Sequence, residues 1–154
     1  LTDVIVVAAN YRLASFGFLG SEQLRAEDGA TGNFGIQDQR RAMEWVHANA
    51  IALGADAQRV MIFGESAGAG SVSNHLVRPA SWPYFTRAAM ESGPLAIWTS
   101  TDMATATKSF DTLAASLNCG SDSDVAACMR AVSALELLKA AKSAPDLPPT
   151  NMLQ

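Results

Sequence analysis

The sequence predicts an α/β fold: a central, mostly parallel sheet with flanking helices. Val4 to Ala9 is an unbroken apolar, largely β-branched run without alternation, as expected of a strand covered on both faces in a parallel sheet. From Phe34 the pattern changes to a helical period, and "RVMIFG" at residues 59–64 then supplies a second short apolar strand. Strand, helix and strand in that order make one parallel unit of a layered fold.

The elements follow along the chain. After the first strand, residues 12–33 read as loop, punctuated by Gly17, Gly20, Gly29 and Gly32. The helix from Phe34 carries Ile36, Met43, Val46 and Ala50 on one face, with polar Gln37, Gln39, Arg41 and Glu44 between them, and Gly54 ends it. Ser71 to Val77 reads as a further helix, stopped by Pro79, whose ring cannot continue it. Arg87 to Met90 is a third strand, before the turn "ESGP". Beyond Trp98, Thr101 or Asp102 caps a helix with Phe110, Leu113, Ala114 and Leu117 on one face. Ser133 and Glu136 form a capping-box pattern for a last helix through Lys142, and "APDLPPTNMLQ" breaks it. No repeat, low-complexity tract or linker interrupts residues 1–154, so they are expected to form a single domain. The start, without Met or a signal-like segment, reads as the cut edge of an internal fragment.

Composition narrows the function. The chain of 154 residues is 49% hydrophobic and 17% charged, which is the ordinary globular class. Eleven basic against 15 acidic residues, without a basic run, argue against a nucleic-acid surface or a polybasic membrane anchor. No apolar stretch approaches the roughly 18 residues needed to span a bilayer. Cys119 and Cys128 lie far from His47 and His75 and form no zinc pattern; a short-loop disulfide or two buried thiols are the readings left.

The stretch that carries chemistry is "VMIFGESAGAG", residues 60–70. G-x-S-x-G by itself is a weak signal, but here an apolar strand precedes it and a helix pattern follows. That is the context of a nucleophile elbow, in which Ser66 sits on a strained strand-to-helix turn. Gly64 and Gly68 would keep the crowded backbone on either side bare. A helix starting just after Ser66 aims its free N–H groups at a developing oxyanion, with Ala67 N–H as the first donor. A phosphate-binding turn is the alternative, yet the P-loop lysine and a G-x-G-x-x-G are both missing.

Four segments in order, "NYRLASFGFL", "GNFGIQDQRRAMEWVHANAIALGADAQRV", "FGESAGAGS" and "RAAMESG", resemble the type-B carboxylesterase and lipase family, α/β-hydrolases that include cholinesterases and fungal lipases. The resemblance is dense from residue 4 to 94. It implies an incomplete α/β-hydrolase fold and hydrolysis of a small-molecule or lipid carboxylic ester through an acyl-enzyme on Ser66. It implies no cofactor and no metal ion. The family's Gly-Gly oxyanion loop, triad acid and triad histidine match nothing in this chain. His75, nine residues beyond Ser66 on one helix, stands roughly 13 Å away along the axis, and His47 reads as solvated or helix-packing. The resemblance further implies roles for Glu65 and Ser92 beside the triad, a structural salt bridge between Arg12 and Asp38, a place for Trp98 in the acyl pocket, and a Cys119–Cys128 disulfide. A disulfide points to a secreted protein. A cholinesterase-like adhesion or binding module without catalysis is the alternative function, and retention of Ser66 between both glycines favours the enzyme.

Overall fold

The computed structural model describes residues 3–93, 100–143 and 152–153. They fall into two compact units, one of Leu1–Tyr11 and Gly35–Thr99, the other of Arg12–Phe34 and Ser100–Gln154.

In the first unit the strand, helix, strand order occurs one step later along the chain than expected, at residues 61–91. Helix α3 (Phe34–Leu53) follows two short helices introduced below, and it ends where Gly54 adopts a left-handed φ of 70°. Its buried positions include Ile36 and Ala50, on the face the sequence assigns to the core. A 3-10 turn at Ala57–Arg59, capped by the Asp56 carboxylate accepting from the Gln58 N–H at 2.8 Å, leads into β1 (Met61–Glu65). Helix α4 (Ala67–Leu76) then crosses to β2 (Arg87–Glu91), which pairs with β1 in parallel, Met61 opposite Arg87 and Glu65 opposite Glu91. The small residues of "AGAGSVS" let α4 pack on both strands, with Ala69 and Val72 buried beneath it. Pro79 opens a 3-10 turn that runs to Tyr84 and returns the chain to the sheet. The helix thus starts four residues before the predicted Ser71 and stops one before Val77.

Two expectations fail. Val4 to Ala9 is not a strand: the segment forms no ladder, and Val4 and Val6 are each 70% exposed. An apolar run reports that a segment is made for burial, but a strand also needs an edge to bond to, and among the described residues β1 pairs with β2 alone. Residues 12–33 are not simply loop either. They hold α1 (Ala14–Phe18) and α2 (Glu22–Asp28). Ser21 caps α2 by accepting from the Leu24 N–H at 3.1 Å, and Gly29 closes it at φ 79° with its N–H on the Arg25 carbonyl. The glycines that read as loop punctuation therefore include a helix stop.

The second unit is built from helices with their own start signals. Asp102, one of the two predicted caps, accepts from the Thr105 N–H at 2.7 Å and begins α5 (Met103–Ser116). The same bond, with the Thr105 hydroxyl behind it, holds the Asp102 carboxyl below its usual pKa. Asp124 caps α6 (Val125–Ala131), an element absent from the sequence reading, through the Ala127 N–H at 2.9 Å. At α7 (Ala134–Ser143) the capping box is complete: the Glu136 N–H donates to Ser133 Oγ at 3.3 Å while the Ser133 N–H and hydroxyl donate to the Glu136 carboxylate. Short β3 (Ser100–Thr101) and β4 (Met152–Leu153) pair in parallel.

The core of this unit gathers Leu19, Phe110, Leu113, Ala114, Cys119 and Met129. Phe110 and Leu113, from the predicted face of α5, are almost completely removed from solvent, each worth about 2–3 kcal/mol of apolar burial. Arg130 grips Glu27 with two guanidinium nitrogens at 2.9 and 2.5 Å, tying α6 to α2 at the surface. Cys119 and Cys128 are joined by a disulfide, Cα to Cα 5.7 Å, that closes a loop of nine residues beside the core. Of the two readings open to the sequence, the structure holds the bonded one.

A loop this short confines the unfolded chain by about 2–3 kcal/mol. The variant Cys119→Ala/Cys128→Ala should lose that much in urea denaturation. Without denaturant the native protein should take up no alkylating reagent at either cysteine; full alkylation would contradict the bond.

Candidate active site

The site begins where β1 ends. Ser66, between the last strand residue Glu65 and the first helix residue Ala67, has φ 52° and ψ −116°, a region costly for any residue with a Cβ. Two hydrogen bonds hold it there: its N–H donates to the Glu91 carbonyl on β2 at 2.8 Å, and its own carbonyl accepts from the Gly70 N–H at 3.1 Å. The turn is therefore pinned to the neighbouring strand on one side and to the first turn of α4 on the other. Ser66 occupies the N-cap position of α4, yet its side chain makes no capping bond, and the residue is exposed. The hydroxyl stands at a helix N-terminus, free to meet a ligand.

The flanking glycines are unequal. A Cβ on Gly64 would land on the carbonyl of Gly68, whereas one on Gly68 would meet nothing within 4 Å. Gly64 is needed because strand and helix backbones touch there; Gly68 supplies the approaching backbone, and its own missing side chain leaves open space. The sequence reading required both positions to be bare, and the structure restricts that need to Gly64.

Ala67 follows directly, exposed at the start of α4, where the first N–H groups have no acceptor within the helix. Glu65 is exposed opposite Glu91 in the strand register. Ser92 comes next after the residue whose carbonyl holds the Ser66 N–H, and it too has a positive φ, 60°. Glu65, Ser66, Ala67 and Ser92 are thus brought to the same end of the parallel pair. Of the other expected residues, Trp98 lies outside the described residues. Arg12 and Asp38 belong to different units; the Arg12 guanidinium stands over the Phe34 ring, 5.5 Å from its centroid.

Residues 1–153 match the model of the Carboxylesterase family. The chain belongs to that family. A juvenile hormone esterase from Tribolium castaneum is 42% identical over 144 residues, 90% of this chain and 24% of that protein. Lipase 5 from Diutina rugosa is 41% identical over 152 residues, 92% of this chain and 27% of that one. Cholinesterase 1 from Branchiostoma lanceolatum is 40% identical over 160 residues, covering 99% of this chain and 43% of its own. The chain spans between 24% and 43% of the length of these relatives. Membership implies an α/β-hydrolase fold, and the parallel pair joined by α4 is a short piece of such a sheet.

Neither histidine of this chain is placed as a base for Ser66. His47 on α3 packs edge-on against Tyr84, ring centroids 5.8 Å apart. His75 is buried in α4 with both ring nitrogens engaged: Nδ1 with Ser81 Oγ at 2.9 Å, Nε2 with Gln39 Oε1 at 3.0 Å. Burial, then the charges of Arg78 and Arg40, push its pKa down to about 4. Sequence reasoning gave His75 no role, nor Gln39, Ser71 and Ser81, which join it in one network. A polar glutamine between Ile36 and Met43 on the buried face of α3 is the signal that could have found it.

Two outcomes follow from this geometry. Gly64→Ala should cost about 2 kcal/mol by forcing strand from helix, while Gly68→Ala, which adds a better helix former in open space, should cost little; equal losses in urea denaturation would contradict the asymmetry. His75 resists protonation when folded, so its stabilisation is whole above pH 6.5 and is lost as pH falls from there towards 4, to an extent of about 3 kcal/mol. Urea midpoints measured across that window should fall less steeply for His75→Gln.

Proposed function

We propose that this chain is the nucleophile-bearing part of a serine carboxylic-ester hydrolase. The observation that carries the reading is the backbone of Ser66, which pushes an uncapped hydroxyl out at the head of α4. Ser66 Oγ attacks the ester carbonyl carbon and passes its proton to a histidine. The carbonyl oxygen, now an oxyanion, is met by the Ala67 N–H and the positive end of α4. Collapse breaks the bond to the alcohol, which leaves with the proton, and an acyl group remains on Ser66. Water then repeats the attack and regenerates the serine. Both units belong to one hydrolase domain, and further chain supplies the histidine, its acid and the remaining oxyanion donors; the greater length of the relatives supports this.

Glu65 holds the histidinium or a water beside the nucleophile, and Ser92 steadies the triad from behind. The substrate is an uncharged or weakly charged ester, small or lipid-like. Among the described residues no helix is long and apolar enough to cross a membrane, and the disulfide supports passage through an oxidising, secretory compartment.

A fluorophosphonate probe should label the full-length protein at Ser66, and Ser66→Ala should abolish both labelling and turnover of p-nitrophenyl butyrate. Labelling that persists in the variant would remove Ser66 from the mechanism. The 154-residue chain alone, without its base, should turn over no ester.

A further inference from the structure

Behind the elbow, a line of hydrogen bonds joins α3 to α4. Ser71 Oγ donates to the Ala67 carbonyl at 3.1 Å and accepts from the Gln39 amide nitrogen at 3.0 Å. The other end of the same amide, Gln39 Oε1, meets His75 Nε2 at 3.0 Å, and His75 Nδ1 meets Ser81 Oγ at 2.9 Å. The directions are fixed by what each atom can do. A serine hydroxyl has one proton, and Ser71 spends it on Ala67, so Gln39 must turn its NH2 toward Ser71 and its oxygen toward His75. That oxygen only accepts, so His75 carries its proton on Nε2, and Nδ1 accepts from Ser81. Every member is satisfied, and His75 and Ser81 are 3% and 1% exposed.

We propose that His75 is a positioning residue for the nucleophile elbow, acting through Gln39 and Ser71 on the carbonyl of Ala67. This rests on the reading of Ser66 as nucleophile and Ala67 N–H as oxyanion donor. The carbonyl that Ser71 grips belongs to the peptide immediately after Ala67, so its plane sets the direction of the first turn of α4. Gln39 bonds two α4 side chains one helical turn apart, which fixes the height and rotation of α4 against α3. His75 is the far anchor of that amide. The network suits a neutral imidazole only, since burial and the charges of Arg40 on α3 and Arg78 just past α4 all oppose a cation there. Apolar side chains would fill the same space without demanding partners; what they cannot do is hold one carbonyl in one orientation.

The test is made in the full-length enzyme, with active sites counted by fluorophosphonate titration so that misfolded material does not enter the rate. His75→Leu and Ser71→Ala should each lower kcat per titrated site by about tenfold or more while KM stays within about twofold, because the contact being misplaced forms only in the transition state. His75→Gln, which offers the same donor and acceptor, should recover most of the loss. A purely structural role predicts the opposite: fewer titrated sites and a lower Tm, but unchanged kcat per site in His75→Leu, and that result overturns the inference. So does an unrescued His75→Gln. Ser66→Ala protein that still labels would sink the underlying reading itself, and is visible separately.

Discussion

The amide hydrogen bond from Ser66 to the Glu91 carbonyl, 2.8 Å long, is the contact on which the elbow depends. A backbone at φ 52° and ψ −116° costs on the order of 1–3 kcal/mol and persists only where its surroundings impose it. The imposition comes from three sides. The ladder of β1 and β2 ends on this bond, the Gly70 N–H closes the first turn of α4 on the Ser66 carbonyl, and Gly64 lets the helix backbone come down onto the strand. Each depends on the others: without β2 the N–H loses its acceptor, and without a bare position at 64 the helix cannot approach. The parallel pair is thus the foundation of the site as well as of the unit's fold.

Much of this was legible in the residues. Apolar runs bounded by glycine and proline marked β1, β2 and α4, the seven-three-four spacing marked α3, and capping residues marked α5 and α7. Their ends were less legible, since α4 begins inside a glycine-rich stretch that propensity alone disfavours. Packing overrides propensity there, because only small residues allow α4 to lie on both strands. Val4 to Ala9 misled because hydrophobicity announces burial but does not name a partner. Residues 12–33 misled for another reason: Ser21 and Gly29 carry cap and stop signals, and a glycine can end a helix as readily as it can open a loop.

The site itself divides along the same line. The strand-turn-helix corner at Ser66 and Ala67 was readable because its elements are contiguous in sequence. The network behind them was not, because Gln39, Ser71, His75 and Ser81 are dispersed in sequence and meet only when α3 lies against α4. A one-dimensional pattern registers each as a polar residue at an unremarkable position.

Four helices of the second unit, α2, α5, α6 and α7, begin with side chains that satisfy their first N–H groups: Ser21, Asp102, Asp124 and Ser133. Helix α4 does not, although a serine stands at its head. A capping bond is worth about 1 kcal/mol, and Ser66 forgoes it while also holding a conformation that glycine would adopt at ease. In thermodynamic terms residue 66 is a standing liability, which the proposed role of its oxygen accounts for. In a descendant lineage relieved of that proposed role, drift towards glycine here would make the protein sturdier.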